Sequence, residues 1–300
     1  MKKKSLLFAI SALILSSSVL QDLKAQELTV PEMSLPANIL VTLKTLHPRL
    51  IASATEFAVL KQRVTTDVTL KAWYEGLLQQ GERILGEDPS IYIIPDGLRL
   101  LSTSRRVVSR TYTLGLLYQL TGDKKYADRE WKELEAASKF PDWNPKHFLD
   151  VGEMTHAFGI GYDWFFSYWN VDQKNIIKSA IIEKGLCRAL LAYNGIAIES
   201  NSWWPRVGHN WNQVTNGGIG VGALAIADDE PKLAEYILRQ VIKNLPYAMI
   251  HFGPDGAWNE GPGYWGYSTQ YNAAIIASLE SSLGTDFGLS KIEGFSRTAL

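Results

Sequence analysis

Two short segments hold side chains that can pass protons. Residues 203–216 read Trp-Trp-Pro-Arg-Val-Gly-His-Asn-Trp-Asn-Gln-Val-Thr-Asn, and residues 254–267 read Pro-Asp-Gly-Ala-Trp-Asn-Glu-Gly-Pro-Gly-Tyr-Trp-Gly-Tyr. The first offers His209, an imidazole whose free side chain titrates at about pH 6.5. The second offers two phenols, Tyr264 and Tyr267. A free phenol has a pKa of about 10, so it keeps its proton at neutral pH and can yield it to an alkoxide. Arg206, Asn210, Asn212 and Glu260 add hydrogen-bonding groups around them. Trp203, Trp204, Trp211, Trp258 and Trp265 add flat apolar faces that match the apolar face of a sugar ring. Acid–base groups ringed by amides and indoles are the composition of a carbohydrate site in which a bond is broken. Each residue also has a plainer role open to it. His209 can cap the following helix, Glu260 can bond loop backbone, and the aromatic residues can be core.

For the two segments to act together, the chain between them must return. Residues 214–228 and 231–250 both carry helical periodicity, and a helical hairpin brings the chain back near its starting point. The same periodicity runs through 54–84, 102–120, 124–138, 150–168, 172–193, 269–283 and 289–300, with Asp172 placed to cap its helix. Gly122-Asp123 reads as a turn. No alternating strand pattern of any length appears, and no fixed-period repeat is legible. The expected class is therefore all-α, with helices in antiparallel pairs. His156 and Glu153 lie in the mostly apolar 150–168 stretch, where a histidine is most often a satisfied core residue. The glycine-rich run 217–222 misses the dinucleotide-binding spacing and follows no strand, so close helix packing is the better reading. The histidines show no metal-ligand spacing, and neither a metal nor any other cofactor is expected.

The formal charge is −1. Lys2, Lys3, Lys4 and Lys24 against Asp22 give residues 1–26 a net +3, leaving the remainder near −4. That balance argues against nucleic-acid binding, and any affinity for an acidic polymer must come from a local patch. Residues 1–26 read as a secretory signal, with a basic start and an apolar run over 6–20 that is short for a membrane span. Residues 27–300 then form one catalytic domain of a periplasmic or secreted protein, with no membrane span once the signal is removed. Cys187 is the single cysteine and reads as a small packing residue.

Taken together, His47-Pro48-Arg49-Leu50, the stretch from Glu153 to Trp164, His209-Asn210-Trp211-Asn212 and Glu260-Gly-Pro-Gly-Tyr264-Trp-Gly-Tyr267 resemble the heparinase II/III-type polysaccharide lyases. The likeness spans about residues 45–300. It implies an incomplete (α/α) toroid, followed in the family by a C-terminal β-sandwich region that this chain lacks. The pattern ends at Leu300 within a helical stretch, as a piece of a longer protein would.

The resemblance also implies a reaction. A polysaccharide lyase breaks a glycosidic bond at a uronic acid by β-elimination. The sugar carboxylate must be neutralised, a base must remove the neighbouring C5 proton, and an acid must protonate the departing O4. On that pattern Tyr264 is the acid, or both acid and base for one sugar epimer, with Tyr267 as its substitute. His209 is the base, and Asn210 and Asn212 neutralise the carboxylate, although His209 and Asn210 can exchange those two roles. Arg206 would steady the phenolate, while Glu260, His156, Trp211, Trp265 and Tyr267 would line the sugar site. Arg105, Arg106 and Arg110 are further cations that could meet sulfate groups. Two other functions fit the same residues. One is an (α/α)-barrel glycoside hydrolase using paired carboxylates such as Glu153, Asp255 and Glu260. The other is a glycan-binding surface protein with no catalysis.

Overall fold

The computed structural model describes residues 29–196 and 202–298. Two units are distinguished, Met1–Val30 and Pro31–Leu300, and everything below concerns the second. The proposed signal, residues 1–26, lies outside the described residues.

Among the described residues the chain is all-helical, with no strand. In order, the helices are α1 (Ala54–Thr66), α2 (Val68–Leu85), α3 (Leu101–Thr121), α4 (Lys124–Ser138), α5 (Leu149–Trp164), α6 (Val171–Ala180), α7 (Cys187–Tyr193), α8 (Asn210–Ala225), α9 (Pro231–Asn244), α10 (Pro246–Met249) and α11 (Pro262–Leu283). No helix among them is long and apolar enough to cross a membrane.

Local chemistry explains the boundaries. The single helical stretch expected over 54–84 is broken at Asp67. This residue ends α1 in an extended conformation, and its carboxylate accepts from the Thr69 and Leu70 amides to start α2. Asn170, not Asp172, caps α6, because Asn170 and Gln173 form a reciprocal capping box. A π-helical turn, Ile181–Leu186, joins α6 to α7. It seats Gly185 against Thr155, where any side chain would collide. The helix expected over 289–300 is only two 3-10 turns, Leu289–Lys291 and Phe295–Arg297.

The largest correction concerns α11. It begins at Pro262 rather than near residue 269, so Tyr264, Trp265 and Tyr267 lie on helix and not in a loop. Gly261 at φ +87° turns the chain, and Pro262 needs no amide partner at the first helical position.

Every residue of α5 is buried, and so is every residue of α8 except Trp211. The two run parallel, with Gly152 against Thr215 and Gly218, and Gly159 against Gly222. A Cβ at Gly218 would strike the Gly152 carbonyl, so backbone touches backbone. The glycine-rich run thus serves helix packing. Helix α11 lies parallel to α8 on its other side, Gly217 meeting Tyr271 and Gly220 meeting Ile275. Helix α3 follows α5 in the same direction, through Ser104–Glu153, Tyr112–His156 and Gln119–Trp164 hydrogen bonds.

At the C-terminal ends of α5 and α8, His47-Pro48-Arg49-Leu50 acts as a clamp. The Arg49 and Leu50 amides donate to the Asp163 carboxylate, which also bonds His47 Nδ1 at 2.6 Å. The fully buried Arg49 guanidinium donates to the Leu224 and Ala225 carbonyls, to Lys44 O and to Asp228. Ser282 of α11 donates to the Arg49 carbonyl. Tyr162, Asp163 and Trp164 therefore anchor helices.

Candidate active site

The two proton-transfer segments meet. Because α8 and α11 are parallel neighbours, their N-terminal turns lie at the same end of the molecule. Glu260 joins them: its carboxylate accepts from the Asn210 backbone amide and from Asn210 Nδ2, each at 2.7 Å, and from Trp258 Nε1 at 3.2 Å. The His251 ring fills the space beside Gly208, and Arg206 Nε donates to Asn244 Oδ1 at 3.3 Å.

His209 sits immediately before α8, half-buried, and its side chain makes no capping bond. Its ring lies 5.9 Å from Trp203, which in turn lies 4.7 Å from Trp211. Tyr264 projects from the first turn of α11 and is 52% exposed. Trp265 turns away, bonding Thr298 Oγ1 and packing on Ala248, Phe252 and Trp258.

Two of the expected neutralising amides are otherwise committed. Asn210 Nδ2 is held by Glu260. Asn212 has no exposed surface, and its amide donates to the Pro205 and Asn244 carbonyls. It ties α8 to the Trp204–Arg206 turn and to the end of α9, because a buried amide must bond its nearest acceptors. It does not reach a ligand. Arg110 is likewise engaged, in ion pairs with the buried Glu133 and the more exposed Glu87.

A pocket of about 350 Å3 opens between α3, α5 and α11. Arg105, Ser109 and Tyr112 come from α3, Glu153 and His156 from α5, and Tyr267, Gln270 and Tyr271 from α11. Tyr267 OH donates to Glu153 Oε1 at 2.6 Å, and Ser104 donates to the other oxygen at 2.7 Å. The Arg105 guanidinium stands 4.6 Å above the Tyr267 ring, with Nε 3.3 Å from Glu153. Burial pushes the Glu153 carboxyl up, against the pull of Tyr267, Ser104 and Arg105. Burial, reinforced by the Glu153 charge, also pushes the Tyr267 phenol well above its usual range, so it stays protonated. His156 is buried with Nε2 2.6 Å from the Tyr112 hydroxyl, and burial lowers its pKa to about 3. It is a neutral imidazole at any ordinary pH.

Tyr267 and His156 thus line the pocket, while His209 and Tyr264 do not. Trp211 connects the two regions, since it and Tyr267 pack on the same apolar patch of Leu149, Val214 and Tyr271. Sequence reasoning missed Tyr112 and Tyr271 as lining residues, and it gave Arg105 no position. All three belong to helical faces that read as ordinary amphipathic pattern. Among the described residues no cluster of three or more His, Cys, Asp or Glu side chains is arranged to hold a metal ion. Neither a scan against protein-family models nor a search of curated proteins returns a match for this chain.

Proposed function

We propose that this protein is a polysaccharide lyase that cleaves a uronic-acid-containing polymer by β-elimination. The observation that carries the reading is the meeting of a protonated phenol, a buried carboxylate, a neutral imidazole and a guanidinium in one open pocket. That pocket adjoins an aromatic surface leading through Trp211 and Trp203 to His209. In the proposed reaction the sugar spans the pocket and the adjoining Trp211–Trp203 surface, where His209, outside the pocket lining itself, takes the C5 proton, and the C4–C5 double bond forms as O4 departs. A tyrosine gives O4 its proton. Tyr267 suits this role better than Tyr264, because it lines the pocket and the Arg105 guanidinium over its ring can steady the phenolate that forms. Tyr264, half-exposed at the same end, serves as a contact for the incoming chain.

The fold proposed for this chemistry is an incomplete (α/α) toroid. Its support is that α3, α5, α8 and α11 run side by side in one direction, with the other helices between them in sequence. The proposed setting is outside the cytoplasm, periplasmic or secreted, from the basic and apolar character of residues 1–26. A hydrolase would need two carboxylates across the bond. The pocket offers Glu153 alone, and Glu260 is engaged with Asn210.

The test is a panel of uronate polymers followed by the ultraviolet absorbance of the new double bond. Tyr267→Phe is expected to lose about a hundred- to ten-thousand-fold in rate, as is His209→Ala. Tyr264→Phe should lose less. Saturated products, or full activity in both Tyr267→Phe and His209→Ala, would overturn the proposal. Binding without turnover would move the protein to the glycan-binding class.

A further inference from the structure

We infer that Arg105 is the anchor for the carboxylate of the ligand and that it sets a preference for anionic over neutral sugars. The inference rests on the reading of the pocket as a sugar site and names the group that distinguishes its ligands.

Of the residues lining the pocket, Arg105 alone carries a fixed positive charge. Its side chain is 52% exposed, whereas that of Glu153 behind it has no exposure. The guanidinium is therefore gripped from one side and open on the other. A guanidinium presents five N–H donors in a planar fork that matches a carboxylate edge to edge. Glu153 and Tyr267 occupy only part of that fork. Glu153 is a positioning residue here. Its own bonds to Ser104 and Tyr267 fix it, and it fixes Arg105.

The remaining candidates for the task are absent or occupied. Asn210 and Asn212 bond within the protein. Arg110 belongs to Glu87 and Glu133, and Arg206 bonds Asn244 and does not line the pocket. Around Arg105 the pocket supplies what a sugar acid needs besides charge. Ser109 and Gln270 are neutral partners for hydroxyl groups, and Val108, Tyr112 and Tyr271 form an apolar surface for a ring face.

The experiment is calorimetric binding of short (1→4)-linked hexuronic acid oligomers, in free-acid and methyl-ester forms, to the full chain. Esterification removes the charge and leaves the ring. Wild-type protein should prefer the acid by about ten- to a hundred-fold, the range of a charge-assisted hydrogen-bonded pair. Arg105→Gln should bring the ratio near one, and Arg105→Lys should leave an intermediate ratio, since charge remains but the fork is lost. Added salt should weaken binding of the acid and not of the ester in the wild type, a readout that holds even if a variant folds poorly. No binding of either form, equal binding of both by the wild type, or an unchanged ratio in Arg105→Gln would overturn the inference. Failure of the lyase reading is seen separately, as absence of unsaturated product, and leaves the ratio measurable.

Discussion

The two ends of α5 carry the same chemistry to opposite purposes. At its C-terminal end Asp163 and Asp228 meet His47 and Arg49, and at its N-terminal half Glu153 meets Arg105. Each set pairs a carboxylate with an arginine and includes a fully buried one, Asp163 or Glu153. The Arg49 side chain has no exposure and bonds three backbone carbonyls as well as Asp228. Arg105 bonds one carboxylate and faces open space. The difference shows that residue type does not separate a structural ion pair from a candidate ligand site. What separates them is whether the cation still has unused donors directed at open volume.

The largest expected contrast is in stability. Arg49→Met leaves Asp228, two helix-end carbonyls and the Lys44 carbonyl without their partner, and should cost about 3–5 kcal/mol in chemical denaturation. Arg105→Gln, half in water, should cost no more than about 1 kcal/mol. Equal losses would dissolve the distinction between the two arginines.

A third buried carboxylate sharpens it. Glu130 accepts from Thr111 through Oε1, and no partner meets Oε2, while the nearby Arg110 and Arg129 are bonded to Glu133. Burial raises the Glu130 pKa to about 8, with the Glu133 charge adding to the effect. Its folded-state value lies above its unfolded value, so its contribution is full in acid and is lost as pH rises toward and through about 8. Glu130→Gln should therefore gain in melting midpoint over the wild type on the alkaline side and not in acid. A constant difference across pH would show that Glu130 is not held protonated.

The smallest effect belongs to His47. Burial opposes its charge, but Asp163 and Asp228 outweigh burial and raise its pKa. The charged form thus stabilises the clamp below the ordinary histidine value, and that contribution disappears as pH climbs through the raised one. The stability difference between wild type and His47→Gln should shrink from mildly acidic to mildly alkaline pH, as thermal melts can follow. If it grows instead, the clamp holds a neutral ring.

Most of the helical order was legible because apolar spacing dominates it, and α4 falls on the very residues its periodicity marks. The break at Asp67 was hidden because both sides of it are helical in pattern and only the capping carboxylate separates them. The start of α11 was hidden because Gly261-Pro262-Gly263 has loop composition, although a proline fits a first helical turn. In the site, Tyr267 and His156 could be named because they fall in motif-like stretches. Asn212 looked like a ligand group for the same reason, yet nothing in a sequence tells an amide facing water from one facing two carbonyls. Arg105 could not be singled out among the arginines of α3, since its value comes from a partner 48 positions away.

The glycine-lined contact between α5 and α8 bears on how such a pocket can change. With backbone resting on backbone, there is no intervening layer of side chains to absorb a shift, so those two helices behave as a fixed post. Variation that reshapes the pocket for a new sugar is thereby confined to the facing surfaces of α3 and α11. A library randomised at Arg105, Ser109 and Gln270 should yield far more folded proteins than one randomised at Gly152, Gly159 and Gly218.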